Sequence, residues 1–276
     1  MNKLNPPATW NELNDLLWAS SFDAGTGRYR PYTAFRGLPA DYPNLRTGLQ
    51  RIGDPGPQLG SPELRWRERR LIDSFRLTAH EYLPPHATDW QVLMVAQHYR
   101  LPTRLLDWTS SPYAALFFAT EDVSKHNEEG LVWCVSRLET NKVLPASLRT
   151  ILAEEERTNL FHQETLSRNF PTLESFENKC PADALLWFEP PSLDIRIVNQ
   201  FALFSVMPRV EGDTAGWLAQ NAAWHRVIPI PSRLKAEIRE RLIVMNISER
   251  TMYPGLEGIA RWQRAYYGGQ PLSGQP

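Results

Sequence analysis

The sequence is short of cysteine, of long apolar runs and of net charge, and each shortage removes a class of protein. Its two cysteines sit in unrelated contexts, Cys134 alternating within an apolar run and Cys180 ahead of Pro181, so neither suggests a disulfide framework or a metal site. Nowhere do about 18 apolar residues follow one another, and the amino terminus has no basic segment leading into an apolar run. Membrane spanning and secretion are therefore not expected, and a cytoplasmic location is. Lys plus Arg number 30 against 31 for Asp plus Glu, a formal charge of -1. With no global field to draw the chain onto nucleic acid or anionic lipid, any phosphate must be held by a local cluster. A Gly-rich phosphate loop, His-Glu metal spacing and a nucleophile elbow are also missing, and no metal is expected.

What is there is an ordinary globular composition, 42% hydrophobic and 22% charged over 276 residues, enough for one core with an elaborated periphery. Thr9-Trp10-Asn11-Glu12 reads as a capping box that opens a helix to about Ala19. Residues 23 to 31 read as a loop, Tyr32 to Arg36 as a short strand stopped by Gly37, and Gly53 to Pro62 as a flexible excursion. Ser61-Pro62-Glu63 is expected to cap a second helix with Leu71, Ile72, Phe75 and Ala79 on one face. Arg65, Arg67, Arg69 and Arg70 fall mainly elsewhere, and a solvated face is preferred to a partner surface. Thr88-Asp89-Trp90-Gln91 is another capping box, opening a helix that carries Trp90, Leu93, Met94 and Gln97 inward.

Pro112 starts an apolar helix through Phe117, Phe118 and Ala119, and Leu131, Trp133 and Val135 alternate as a strand. Residues 137 to 180 are charged and helical in flavour, the natural place for an insertion that sets partner or substrate choice. Strands are expected again at Asp194 to Val198, Phe201 to Val206 and Arg226 to Ile230. Ser232 then caps a helix carrying Leu234, Ile238 and Leu242, and a last helix runs from about Gly255 to Tyr266. The tail after Gly268 is expected to fray.

The segment from Gln97 to Ser111 stands apart, because it sets His98, Arg100, Arg104, Asp107, Thr109, Ser110 and Ser111 between two apolar helices. A buried polar group without a partner costs roughly 1 to 3 kcal/mol, so this many imply a closed network or a ligand. Arg104 and Asp107, three apart, are expected to pair with each other and pin the loop. For His98 a satisfied core residue and a functional one are both open. Thr109-Ser110-Ser111 at the start of the Pro112 helix read either as simple caps or as part of an anion site. Phe35-Arg36-Gly37 ends the first strand with a cation beside a residue that permits close approach.

Taken together, Phe35-Arg36-Gly37, Gln97-His98-Tyr99, Leu101-Pro102-Thr103-Arg104-Leu105-Leu106-Asp107-Trp108, Arg196 with Gln200 and Phe204, and Tyr253-Pro254-Gly255-Leu256-Glu257-Gly258 resemble the FRG domain. The likeness runs from about residue 30 to 265, with Arg100 where the family pattern suggests a glycine. It implies a division into an N-terminal helix and loop (1–29), an FRG domain (30–267) with a helical insertion (137–185), and a flexible tail (268–276). FRG domains occur in bacterial and phage proteins, often near defence and toxin genes.

A second resemblance, to ADP-ribosyltransferases, lies in the order of Arg36-Gly37, Thr109-Ser110-Ser111 with Ala114, Ala115, Phe117 and Phe118, and Gln200 before Phe204 and Val206. It implies an α+β fold with an ADP-ribosyltransferase-like split β core and surrounding helices, and NAD as substrate. The reaction implied is transfer of ADP-ribose to a macromolecular acceptor, protein or nucleic acid, or hydrolysis of NAD. An antitoxin or chaperone partner fits the same setting.

In that reading Arg36 and Gly37 hold the pyrophosphate, His98 and Ser110 the ribose, and Tyr99 or Trp108 walls the nicotinamide; Arg104 and Thr109 complete the binding set. The usual catalytic glutamate aligns with Gln200, which leaves Glu257 as the replacement carboxylate or as a favourable charge at a helix start. A non-enzymatic module recognising a nucleotide or nucleic acid through the same pocket is the alternative, and a metal-dependent nuclease a third.

Overall fold

The computed structural model describes residues 2–19, 21–24, 27–29, 32–42, 45–54, 59–154, 159–180, 183–190 and 195–268. Its strands are β1 (Phe22–Asp23), β2 (Arg28–Tyr29), β3 (Thr33–Leu38), β4 (Leu106–Thr109), β5 (Gly130–Ser136), β6 (Leu186–Phe188), β7 (Ala202–Val206) and β8 (His225–Ile230). Its α-helices are α1 (Trp10–Trp18), α2 (Ser61–Thr78), α3 (Asp89–His98), α4 (Pro112–Thr120), α5 (Arg137–Lys142), α6 (Ala146–Ala153), α7 (Gln163–Asn169), α8 (Leu173–Lys179), α9 (Ile195–Asn199), α10 (Thr214–Ala219), α11 (Ser232–Val244), α12 (Glu249–Met252) and α13 (Leu256–Gly268). The fold is α+β. Among the described residues no helix is long and apolar enough to cross a membrane.

Local signals place several helices where the chemistry of their ends requires. The Thr9 hydroxyl accepts from the Glu12 amide, and Thr88 with Gln91 closes a complete capping box. Pro112 sits in the first turn of α4, and the Ser111 hydroxyl accepts from the Ala114 amide at 3.3 Å. Two caps differ from expectation: Ser61 and Ser232 are the first residues of α2 and α11, preceded by Gly60 and Pro231 with no side-chain cap. The segment expected as a loop, 23 to 31, supplies Asp23 of β1 and the whole of β2, which pair as a two-stranded ribbon, and part of the excursion before Pro62, residues 55–58, lies outside the described residues.

The stretch expected as a strand from Asp194 to Val198 is the helix α9, with Asp194 itself outside the described residues. Its β-branched residues suggested a strand, but only Ile197 is buried in the helix while Ile195 and Val198 are exposed. Tertiary anchoring decides: Asn199 Nδ2 and Gln200 Nε2 donate to the Thr251 and Met252 carbonyls of α12 at 2.7 and 2.8 Å.

Six strands form one antiparallel sheet in the order β6-β7-β4-β3-β5-β8. One face buries Phe35, Val132, Cys134 and Ile228 under α1, α4 and α11; the other carries Ala34, Trp133, Trp108 and Trp187 against Trp217 and Trp224. Gly37 does not stop β3, which runs on to Leu38. A Cβ at Gly37 would stand 1.9 Å from the Ala115 carbonyl oxygen, so the glycine is what lets α4 lie directly on the strand. The described residues between 137 and 185 carry the short helices α5 to α8, and they belong to the core: Leu148, Phe161, Leu166, Phe170 and Phe176 pack with Trp90, Phe188 and Phe204.

The two central strands, β3 and β4, share a single register pair, Phe35 opposite Thr109. Past that rung, Arg36, Gly37 and Leu38 pair only outward with β5, and Leu106, Asp107 and Trp108 pair only outward with β7. The sheet is thereby divided into two three-stranded halves that separate on one side of the Phe35–Thr109 pair.

Candidate functional site: an arginine-lined cleft

The parting of β3 and β4 opens a cleft of about 1030 Å³, at the upper end of the ~300–1,000 Å³ usual for small-molecule sites. Its floor is the unpaired flank of both strands: Arg36, Gly37 and Leu38 from one, Leu106, Asp107 and Trp108 from the other. The loop after β3 supplies Arg46, Arg51 and Asp54, the turn between α3 and β4 supplies Arg100, and the far wall holds Glu121, Arg196, Gln200, Tyr253 and Arg261. Six arginines thus line the cleft against three carboxylates, in a chain whose overall charge is -1.

Arg36 bridges the gap. Its guanidinium donates to the Asp107 carbonyl on β4, while its Nε is buried without a hydrogen-bond partner. Burial pushes its pKa below the ordinary arginine value; the Asp107 charge opposes this and the Arg51 charge adds to it. Arg46 is answered by Asp54 at 3.0 Å. Arg100 sits at φ +65, a left-handed conformation that costs an L-residue roughly 1–2 kcal/mol, and its guanidinium lies 3.1 Å from Glu257.

On the far wall Tyr253 is buried and donates its hydroxyl to Glu121 at 2.6 Å. The Arg261 and Arg196 guanidiniums stand 4.2 and 5.1 Å from its ring centroid. Burial raises the Glu121 carboxyl above the usual range, against the Tyr253 hydrogen bond and the charges of Arg261 and Arg239, and Glu249 raises it further.

Of the residues picked out along the sequence, Arg36, Gly37, Trp108, Thr109, Arg196 and Gln200 line this one cleft, and His98, Tyr99, Arg104, Ser110 and Glu257 do not. His98 ends α3 half-buried with its ring edge-on to the exposed Tyr99 at 5.0 Å. The hydroxyls are engaged locally: Thr109 donates to the Gln200 carbonyl at 2.6 Å and accepts from the Ser111 amide, and the Ser110 hydroxyl is 3.5 Å from the Phe201 carbonyl. Gln200 spends its amide on Met252. Glu257 is exposed in the first turn of α13, 2.7 Å from Arg261; desolvation raises its carboxyl, and Arg261, Arg100 and Arg196 together outweigh it and hold the group below the usual range.

The expected Arg104–Asp107 pair is not formed. Arg104 points into the interior, where its Nε donates to Glu68 at 2.7 Å, its second terminal nitrogen reaches both Glu68 and Glu177, and the first donates to the Pro208 carbonyl at 2.8 Å. Asp107 faces the other way, accepting from Gln97 Nε2 at 2.8 Å. Arg104 precedes β4 and is drawn inward by Glu68 and Glu177, whereas Asp107 is an exposed residue of the strand, so the short spacing did not bring the two charges together.

Residues 32–128 match the family model of the FRG domain. Over this segment the chain is similar to the FRG domain. No curated protein and no solved structure matches the chain. The FRG segment supplies β3, the arginine loop, α3, β4, α4 and Glu121; Arg196, Gln200, Tyr253 and Arg261 come to the same cleft from beyond it. The motif Tyr253 to Gly258 is thus tied to the FRG segment through the Tyr253–Glu121 bond.

Sequence reasoning missed Arg46, Arg51, Glu121 and Arg261. For Glu121 a signal existed, since a carboxylate just past the end of the apolar α4 sits at the negative pole of the helix dipole, where it is disfavoured unless something else holds it. The loop arginines carried no signal beyond their charge.

Proposed function

We propose that the FRG cleft binds a phosphate-bearing nucleotide, NAD being the first candidate, and that it serves ADP-ribosyl transfer to a macromolecule or to water. The observation that carries this reading is the desolvated Arg36 guanidinium, with an unpartnered Nε, held between the parted central strands among five further arginines. A planar guanidinium donates in pairs to phosphate oxygens, and in a partly dry site those bonds are strong. Arg36 is the clamp on the pyrophosphate, and Gly37 beside it lets α4 seat on the strand that carries the clamp. The two-halved sheet is compatible with an ADP-ribosyltransferase-like core, and an acceptor macromolecule, an inhibitory partner and a toxin or defence setting belong to the same reading.

A second reading, nucleotide recognition without turnover, is favoured by one feature: at the position expected for the catalytic glutamate the cleft presents Gln200, its amide bound to Met252, and Glu257 lies outside the lining. Thermal unfolding with and without millimolar NAD tests the shared core of both. The protein is expected to be protected, by ~2.7 kcal/mol if NAD stands at about a hundred times its Kd, and Arg36→Ala to lose that protection. An unchanged Tm for the wild-type protein removes both readings for NAD.

A further inference from the structure

We infer that Glu121 is the working carboxylate of this cleft, the general base that takes the proton of the attacking water or acceptor as the nicotinamide–ribose bond of NAD breaks. This rests on the nucleotide reading above and names the group that reading lacks. Among the described residues the carboxylates that line the cleft are Asp54, Asp107 and Glu121. Asp54 is committed to Arg46, and Asp107 is exposed and bound to Gln97. Glu121 differs from both in being set into the far wall, just past the last turn of α4, with its Oε2 fixed by the Tyr253 hydroxyl at 2.6 Å. Oε1 is left to accept a substrate proton.

The surroundings suit that task. Tyr253 is itself buried and held under the Arg261 and Arg196 guanidiniums, so it positions the carboxyl rigidly beside two cations. The charged groups around Glu121 are Arg261 of α13, Arg239 of α11 and Glu249 of α12, besides the Tyr253 phenol. Burial holds the carboxyl above its ordinary titration range, which brings a base closer to neutral pH, where proton transfer is most effective. In the step, the water oxygen bonds to the ribose C1′ as the C1′–N bond breaks. The bonding pair passes to the pyridinium nitrogen, giving neutral nicotinamide, and the water proton passes to Glu121 and on to solvent. An acceptor hydroxyl in place of water balances in the same way.

The test uses the full chain, NAD, calorimetric affinity and the rate of nicotinamide release. E121Q keeps the size of the side chain and an acceptor for the Tyr253 hydroxyl. It is expected to bind NAD within about threefold of wild type while release falls at least ~100-fold, the usual scale for a lost general base. Tyr253→Phe removes a bond that lowers the Glu121 pKa, so the acid limb of its pH–rate profile is expected to move to higher pH, which a purely structural tyrosine would not cause. Release by E121Q at more than about a third of the wild-type rate, or an unmoved acid limb in Tyr253→Phe, overturns the assignment of Glu121 and leaves the nucleotide reading intact. Wild-type protein that binds NAD without releasing nicotinamide overturns the transfer reading and Glu121 with it, and absence of NAD binding overturns the nucleotide reading itself.

Discussion

Arg104 and Arg36 are both guanidiniums drawn out of water, and they differ in what answers them. Arg104 is enclosed by Glu68, Glu177 and the Pro208 carbonyl, a cluster in which the positive charge is matched by buried negative charge. Arg36 has one backbone carbonyl and a buried Nε with no partner, in a cleft where arginines outnumber carboxylates. A closed cluster is finished structure, whereas an open one retains capacity to bind. Function is therefore to be sought where polar groups are gathered and incompletely satisfied, not merely where they are gathered.

Mutations can break or sharpen that contrast. The largest expected effect is from Arg104→Ala, which leaves the buried Glu68 uncompensated while Glu177 keeps Arg65; urea unfolding should show a loss of ~3–5 kcal/mol. Arg36→Ala should invert the pattern, changing stability by no more than about 1 kcal/mol while weakening NAD binding beyond detection. If Arg36→Ala destabilises as much as Arg104→Ala, the cleft arginine is structural too and the contrast fails. The smallest effect is expected from Arg100→Gly. Relief of the left-handed strain offsets the lost Glu257 ion pair and the added freedom of the unfolded chain, so stability should hold within ~1 kcal/mol. NAD affinity, read by titration, should fall about tenfold, the equivalent of ~1.4 kcal/mol.

What could be read along the chain was whatever is local. The Thr88–Gln91 box, Pro112 at a helix start and the alternation of Leu131, Trp133 and Val135 all act over a few residues, and each is found in place. That the Gln97 to Ser111 segment would need partners was also legible, because dense polarity between apolar helices has to be satisfied wherever the partners come from. Which partners was not legible. Glu68 lies 36 residues from Arg104 and Glu177 lies 73 from it, so proximity in sequence favoured Asp107, the wrong carboxylate. In the same way Tyr253 and Glu121 are 132 apart, and nothing in either neighbourhood announces the other. The helix at 195–199 was misread because its β-branched residues carry a strand propensity that the α12 anchors override.

The single rung between Phe35 and Thr109 has a mechanical consequence. Beyond it the halves are tied across the cleft by the Arg36 guanidinium on the Asp107 carbonyl. A ligand that draws that guanidinium to itself therefore has to replace the tie it removes, or leave the Phe35–Thr109 pair to hold the two central strands together.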